Sequence, residues 1–313
     1  MNSSRKDRPL TSSSLSRTLL PRLANAPLPL LILTGTLLGS MLPMARVARS
    51  AGWSPLAFAF WPALGSGLIL AAAGTLAGGR ARALRPFLLY SLIAGALSVA
   101  IPNTVTFLVM PDLGTSLASL MYTLPPLLTY AIAWSIGIEH YRPLRLAGIV
   151  LGLAGAALLA LSRSSAAGGS PWWIGVALCA PLSLAAGNVY RKQHMPEDAD
   201  SRLLAGGMLL GGALSLLPFL YAAGDLSFHN LSGWAVILVQ CLFTSMGYVV
   251  YFRFQKVADA VYFSQVGYLI SATGVFSGIL FFDERLTNPA LLAVAAIASG
   301  IAMLNRSPRE TRA

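Results

Sequence analysis

Ten apolar stretches, each about 20 residues long, run through this chain of 313 residues. A bilayer core of about 30 Å takes about 20 residues of α-helix to cross. Open strands cannot cross it, because their backbone groups would lack hydrogen-bond partners in lipid. Only 11% of the residues are charged and 56% are apolar, whereas a soluble domain has about 25% charged residues. The sequence therefore excludes a soluble globular fold and predicts an all-α integral membrane protein with ten transmembrane helices.

Charged and Gly/Pro-rich segments separate the stretches and set the predicted helix boundaries. Residues 1–27 are rich in Ser and Arg and are predicted to form a disordered cytoplasmic tail, and residues 305–313 a second tail. A cleavable signal peptide is the alternative interpretation of the first stretch, but that stretch is longer than a usual signal core. The ten helices are predicted at residues 28–45, 55–77, 87–109, 114–137, 144–162, 172–190, 203–223, 232–252, 260–282 and 288–304.

The basic residues predict the orientation, because cytoplasmic loops carry an excess of Lys and Arg. With the N-terminus inside, 18 of the 22 basic residues fall in cytoplasmic segments; the four that fall outside are Arg46, Arg49, Arg163 and Arg285. This distribution places both termini in the cytoplasm. The net charge of +11 is scattered between apolar runs and makes no dense basic patch, so no nucleic-acid partner is expected.

An internal repeat emerges when the chain is shifted by 145 residues against itself. In both halves the fourth helix ends at an acidic residue, Glu139 in the first half and Asp283 with Glu284 in the second. Each half has five helices, an odd number, so the second copy must cross the membrane in the opposite sense. We therefore expect two inverted five-helix repeats, at 28–162 and 172–304, as in many secondary transporters. The aligned pairs are Ser119 and Ser264, Leu124 and Leu269, Glu139 and Glu284, Leu146 and Leu291, and Gly155 and Gly300.

These features resemble the EamA-type permeases of the drug/metabolite transporter superfamily. The ninth helix ends in the sequence DERLT at 283–287, and an acidic-Arg-Leu turn of this type joins the last two helices of each half in that family. The first half departs from the pattern with EHYRP at 139–143. The resemblance implies a secondary transporter of the bacterial inner membrane that moves small metabolites, often amino acids or drugs, and commonly outward.

The predicted helix interiors hold no ionisable side chain, although such a side chain at mid-membrane is usually functional. All 11 acidic residues and the three His lie in predicted loops or at helix ends. An anionic substrate would need Lys or Arg in the cavity, so we expect a neutral or zwitterionic substrate. Proton coupling or gating would then fall to a carboxylate at a helix end, such as Asp112 or Asp259. A helix N-cap is the alternative interpretation of each.

Polar side chains and prolines cluster on the third, fourth, eighth and ninth helices. Prolines such as Pro102, Pro125 and Pro126 free backbone carbonyls, which need a partner in lipid, so a polar cavity between these helices is predicted. Hydrogen bonding between helices is the alternative role of each single polar residue. The predicted substrate-binding residues are Asn103, Tyr122, Gln240, Thr244, Tyr248, Gln265 and Tyr268.

Other function classes and partners follow from the same residues. A lipid flippase and a non-transporting membrane subunit stay open, whereas an enzyme would need a nucleophile with a base, or a metal cluster, inside the membrane. Cys179 and Cys241 have no metal-binding spacing, so no metal or cofactor is expected. The expected partners are a small-molecule substrate and membrane lipid. Gly148, Gly152 and Gly155 permit close helix packing, either within the monomer or in a homodimer through the fifth and tenth helices.

Overall fold

The computed structural model describes residues 27–79, 84–138, 140–144, 146–152, 154–155, 158, 172–196, 199–225, 231–257, 263, 265–284 and 288–305. Within these ranges every regular element is a helix and none is a strand, so the predicted all-α class is confirmed. The helices fall at the positions of the ten predicted spans, which we number in chain order.

Where the structure describes both ends of a span, its bounds agree with the predicted ones to within about six residues; the predicted end of the fifth span lies outside the described residues. The third and fourth are broken by short segments of different helical pitch. The first span comprises Pro27–Gly39 and Met41–Ser50, and the second is Pro55–Leu76. The third comprises Leu84–Gly95, the π-helical turn Ala96–Ala100 and the helix Ile101–Leu120 up to Leu113, and the fourth comprises the rest of that helix from Thr115, the 3-10 turn Met121–Thr123 and Pro125–Ser135. In the fifth span residues 146–152 are helical, and the sixth to tenth spans are Trp172–His194, Ser201–Ala222, Leu231–Val257, Val266–Phe282 and Asn288–Asn305.

Several of these helices have the length and composition needed to cross a bilayer. The described residues contain five such stretches: Pro27–Ser50, Pro55–Leu76, Leu84–Thr115, Ser201–Ala222 and Gly233–Val257. Large apolar side chains, including Leu68, Leu88, Leu214, Leu238 and Phe276, are exposed on the outer faces of the spans. Surfaces of this kind are rare on soluble monomers, and lipid is the solvent that suits them.

The third and fourth spans meet at a sharp break at Gly114, where φ is +79°, a conformation that glycine adopts without a steric penalty. Asp112 lies exposed in the last turn of the third span and is therefore not the N-cap of the fourth. Glu284, at the end of the ninth span, accepts a hydrogen bond from the backbone N–H of Thr115 at 2.8 Å. A distant carboxylate thus satisfies the first amide of the fourth span, a group that lacks a partner within its own helix. Asp259 lies outside the described residues.

Close helix crossings depend on glycine. A Cβ built on Gly211 in the seventh span would lie 2.0 Å from the carbonyl oxygen of Ser91 in the third. A Cβ built on Gly148 in the fifth span would lie 2.5 Å from the carbonyl oxygen of Gly300 in the tenth. The glycines of the fifth and tenth spans therefore pack against each other within one chain, and a homodimer through these spans stays a prediction.

The bundle has two ends that differ in chemistry. Arg46, Gly114 and Glu284 meet at one end, which we call the Glu284 end. The second span leads away from it to Gly79, where a built Cβ would lie 3.0 Å from the Cβ of Asp200. Asp200 caps the seventh span by accepting from the backbone N–H of Arg202 at 2.8 Å, and hydrogen bonds from Arg202 hold the pKa of Asp200 below its usual value. The sixth span contains Lys192 in its last turn and ends nearby at His194. We call this opposite end the Lys192 end.

Candidate functional site

A cavity of about 430 Å³ lies between the spans. Spans one to four and six to nine build its wall, whereas the described residues of the fifth and tenth spans contribute nothing to it. This volume is within the range of sites that hold small molecules, about 300 to 1,000 Å³. At the Lys192 end the lining reaches Lys192, which is exposed, and at the Glu284 end it reaches Phe58 and Phe107, which are 3% and 5% exposed.

Five of the seven predicted substrate-binding residues line this cavity: Asn103, Tyr122, Gln240, Thr244 and Tyr248. The hydroxyl of Tyr122 donates to Asn103 Oδ1 at 3.2 Å, which links the third and fourth spans. Gln240 Nε2 donates to Thr244 Oγ1 at 2.9 Å along the eighth span. The structure thus brings together polar residues from three spans, and their part in substrate binding stays a prediction.

The other two, Gln265 and Tyr268, do not line the cavity. The ninth span presents Val266, Gly267 and Ile270 instead. Gly267 fixes the rotation of this helix, because a Cβ built on it would lie 2.2 Å from the carbonyl oxygen of Tyr122. Successive helical residues are about 100° apart around the axis, so Gln265 and Tyr268 lie on the side of the helix roughly opposite Val266, Gly267 and Ile270.

Arg191 is a cavity residue that the sequence analysis missed. The sixth span continues to His194 and not to the predicted end at 190, so Arg191 is part of the helix, 1% exposed and in the cavity wall. Its Nη1 donates to Ser98 Oγ, and its Nη2 donates to Asn188 Oδ1 at 2.5 Å and to the Tyr251 hydroxyl at 2.7 Å. The expectation that the cavity would contain no charged side chain is therefore wrong.

The electrostatics of the cavity are positive. All three acceptors of Arg191 are neutral, Nε has no acceptor among the described residues, and no described carboxylate forms an ion pair with this guanidinium. Lys192 adds a second cation at the mouth, and the described lining residues include no Asp or Glu. A cation taken out of water is costly unless it is paired, so this site favours a negative charge.

The wall also contains two buried amide oxygens. The Oε1 atoms of Gln240 and Gln255 are buried and have no hydrogen-bond donor among the described residues, although both residues line the cavity. Buried acceptors normally have a donor. The wall therefore offers acceptors as well as the donors of Arg191 to a bound molecule.

An ion pair connects the first and ninth spans at the Glu284 end. Arg46 donates to Glu284 Oε1, the same oxygen that accepts from the Thr115 amide. The guanidinium carbon of Arg46 also lies 4.3 Å from the ring centroid of Phe282, a cation–π distance. Glu284 thereby connects the first, fourth and ninth spans. Phe58 and Phe107 line the cavity at this end, and their rings pack edge to face with centroids 5.2 Å apart.

Comparison with known proteins identifies a family that this chain matches. The EamA-like transporter family matches residues 26–161 and again residues 171–306. Over 199 residues the chain is 30% identical to the uncharacterized inner membrane transporter YedA of Escherichia coli K12, and the match spans 62% of this chain and 62% of YedA. YedA of Escherichia coli O157:H7 matches to the same extent. A protein of known crystal structure shares the fold with a TM-score of 0.62 at 18% identity, over 87% of this chain and 95% of the other.

These matches confirm the resemblance that the sequence analysis identified. The two EamA matches together cover most of the 313 residues, one on each half of the bundle. The chain therefore belongs to the EamA-like transporter family, and this membership points to a transporter and not to an enzyme.

Proposed function

We propose that this protein is a secondary transporter that exports small zwitterionic or neutral metabolites, such as amino acids or drug-like compounds, across the bacterial inner membrane, and that the cavity is its substrate site. The observation that carries the proposal is the set of uncharged polar groups in the wall, above all Gln240, which is 2% exposed and whose Oε1 has no donor in the described part of the chain. Coupling or gating at Asp112 or Asp259 is part of the same proposal. The relative YedA is described as an inner membrane transporter, which supports the location.

The proposed architecture is a pair of inverted repeats at 28–162 and 172–304. Helix contacts that recur under the 145-residue shift support it. A Cβ built on Gly95 would lie 2.2 Å from the backbone nitrogen of Gly212. Shifting both positions by 145 residues gives 240 and 67, and a Cβ built on Gly65 would lie 2.6 Å from Cys241 Sγ. The third and seventh spans therefore touch at nearly the same relative positions as the eighth and second.

A second contact supports the same symmetry. Position 122 shifted by 145 residues is position 267, and Gly267 lies against the carbonyl oxygen of Tyr122. A residue that touches its own symmetry equivalent lies on the two-fold axis. The axis of the proposed repeats thus passes between the fourth and ninth spans, beside the cavity.

The proposed orientation places both termini in the cytoplasm and predicts a labelling pattern. In a Cys179→Ser, Cys241→Ser background, Ala166→Cys is expected to react with a membrane-impermeant maleimide added to spheroplasts, because it lies between the fifth and sixth spans. Arg5→Cys and Glu310→Cys are expected to react only after the membrane is opened. External labelling of either terminal cysteine would contradict the orientation.

Gln240→Ala tests the substrate site. Among the described residues, Gln240 donates only to Thr244 on its own helix, so truncation is expected to cost little stability, about 0.6 kcal/mol for a membrane hydrogen bond. Loss of a hydrogen bond to substrate is expected to weaken transport by about fivefold or more. The measurement is exchange of radiolabelled amino acids in proteoliposomes, with the melting temperature in detergent recorded in parallel.

Gln265→Ala is the matched control, since it removes the same amide from a residue that does not line the cavity. We expect it to leave exchange unchanged. Normal exchange in Gln240→Ala together with a clearly lowered melting temperature would show that Gln240 has a structural role, and the proposed site would be wrong.

A further inference from the structure

Arg191 is a buried cation whose hydrogen-bond capacity is only partly used. A guanidinium has five N–H donors in a planar fork. Three hydrogen bonds lead from Arg191 to neutral oxygens on Ser98, Asn188 and Tyr251, and Nε has no acceptor among the described residues. A guanidinium carries a positive charge, and in the part of the chain that the structure describes no carboxylate compensates it in the cavity wall.

The other half of the bundle contains the same arginine in a compensated form. Position 46 shifted by 145 residues is position 191, so Arg46 is the counterpart of Arg191. Arg46 forms an ion pair with Glu284, whereas the described partners of Arg191 in the cavity wall are all neutral. Two arginines at equivalent positions thus differ in their partners: Arg46 has a carboxylate, and Arg191 has none among the described residues.

We infer that Arg191 binds a carboxylate group of the transported molecule. A carboxylate accepts two parallel N–H bonds from a guanidinium, and such charge-assisted bonds are about twice as strong as neutral ones. The incoming carboxylate therefore displaces neutral acceptors such as the Asn188 side chain. Gln255 follows Tyr251 by four residues on the eighth span, and its Oε1 atom, which has no donor among the described residues, accepts from an ammonium group of the same molecule.

This inference rests on the proposed transport function and narrows its substrate class. Carboxylate-bearing molecules, zwitterionic amino acids among them, are bound in preference to neutral compounds of the same shape. The size of the cavity, about 430 Å³, limits the choice to small molecules. Lys192 at the mouth attracts the same negative charge but is exposed, so water weakens its effect.

Paired acids and amides test the inference on the purified full-length protein. Affinities are measured by thermal shift at constant ionic strength for acetate and acetamide, benzoate and benzamide, and N-acetylleucine and N-acetylleucinamide. We expect each acid that binds the wild type to bind about tenfold more tightly than its amide. Arg191→Gln is expected to remove this preference and to leave the affinity for the amide unchanged, which also shows that the variant is folded.

Two further variants sharpen the test. Arg191→Lys keeps the charge but loses the planar fork, so it is expected to retain part of the preference for acids. Lys192→Gln removes the neighbouring exposed cation and is expected to retain the full preference. Equal affinity for acid and amide in the wild type, a preference that survives Arg191→Gln, or no binding by any acid of the series would overturn the inference.

The test must also distinguish a carboxylate of the ligand from a carboxylate of the chain itself as the partner of Arg191. The 145-residue shift relates Glu284 to Glu139, which lies outside the described residues. Glu139→Gln is expected to leave the preference for acids unchanged. If Arg191→Gln and Glu139→Gln abolish exchange equally and the wild type shows no preference for acids, Arg191 belongs to a pair within the chain and the inference is wrong.

Failure of this inference is distinguishable from failure of the proposed function. Exchange that depends on Gln240 but shows no preference for acids would overturn the carboxylate site alone. If neither acids nor amides bind and Gln240→Ala leaves exchange unchanged, the cavity is not the substrate site, and both proposals fall.

Discussion

Replacing Gly211 with alanine is expected to cost about 3 kcal/mol of stability and to reduce sharply the yield of folded protein. The added Cβ would lie 2.0 Å from the carbonyl oxygen and 2.5 Å from the carbonyl carbon of Ser91. Both are backbone atoms, so no side chain can rotate away and the third and seventh spans must separate. Overpacking of this kind costs about 1 to 3 kcal/mol and occasionally more. Unfolding in mixed micelles and the melting temperature in detergent measure the effect.

Gly175→Ala is the matched control. Gly175 lies in the sixth span, and a Cβ built on it meets no atom of the described residues within 4 Å. Alanine favours the helix over glycine by up to about 1 kcal/mol, so this variant is expected to be neutral or slightly more stable. If the two variants unfold at the same denaturant concentration, the close crossing at Gly211 does not determine the packing of these spans.

The spans were predictable because the bilayer constrains sequence so strongly. Crossing it takes a long apolar helix, and the length of each run sets the helix with little help from tertiary contacts. The eighth span shows how far this reaches: Gln240, Thr244 and Tyr248 follow at four-residue spacing on one unbroken helix and do line the cavity together.

Helix rotation was harder to predict than helix position. The three-residue spacing of Gln265 and Tyr268 predicts a shared face but not where that face points. The contact of Gly267 with the Tyr122 carbonyl decides the rotation, and these two positions are far apart in the sequence. A glycine on an apolar helix gives no sign of which backbone it will touch.

Arg191 escaped prediction for a related reason. A charged residue after an apolar run marks the end of a span by composition. The helix continues past it because Ser98 and Tyr251, on two other spans, accept hydrogen bonds from the guanidinium. The contact of Glu284 was equally hard to predict. Its carboxylate accepts from the Thr115 amide and so connects the end of the ninth span to the start of the fourth, which is distant in sequence. Long-range polar contacts of this kind leave no local pattern.

Glu284→Gln is expected to open the Glu284 end of the cavity more often. The substitution keeps the shape of the side chain and an oxygen for the Thr115 amide, but it removes the charge that pairs with Arg46. The Glu284 side chain is only 13% exposed and that of Arg46 39%, so the pair is partly shielded from water. A hydrogen bond to a charged group contributes about 1.5 to 3 kcal/mol, and its loss is expected to raise the open population about tenfold or more.

The measurement uses Met41→Cys, a cavity-lining position in the first span, in a Cys179→Ser, Cys241→Ser background. A membrane-impermeant maleimide is added on the side of the Glu284 end, and the rate of labelling is expected to rise in proportion to the open population. Asp283→Asn is the matched control, since it removes a charge from the adjacent exposed residue, whose left-handed conformation (φ 51°) asparagine tolerates. We expect it to leave the rate unchanged. An equal rise in both variants would attribute the effect to charge in the turn as a whole, and no rise in Glu284→Gln would mean that its ion pair with Arg46 does not hold this end together.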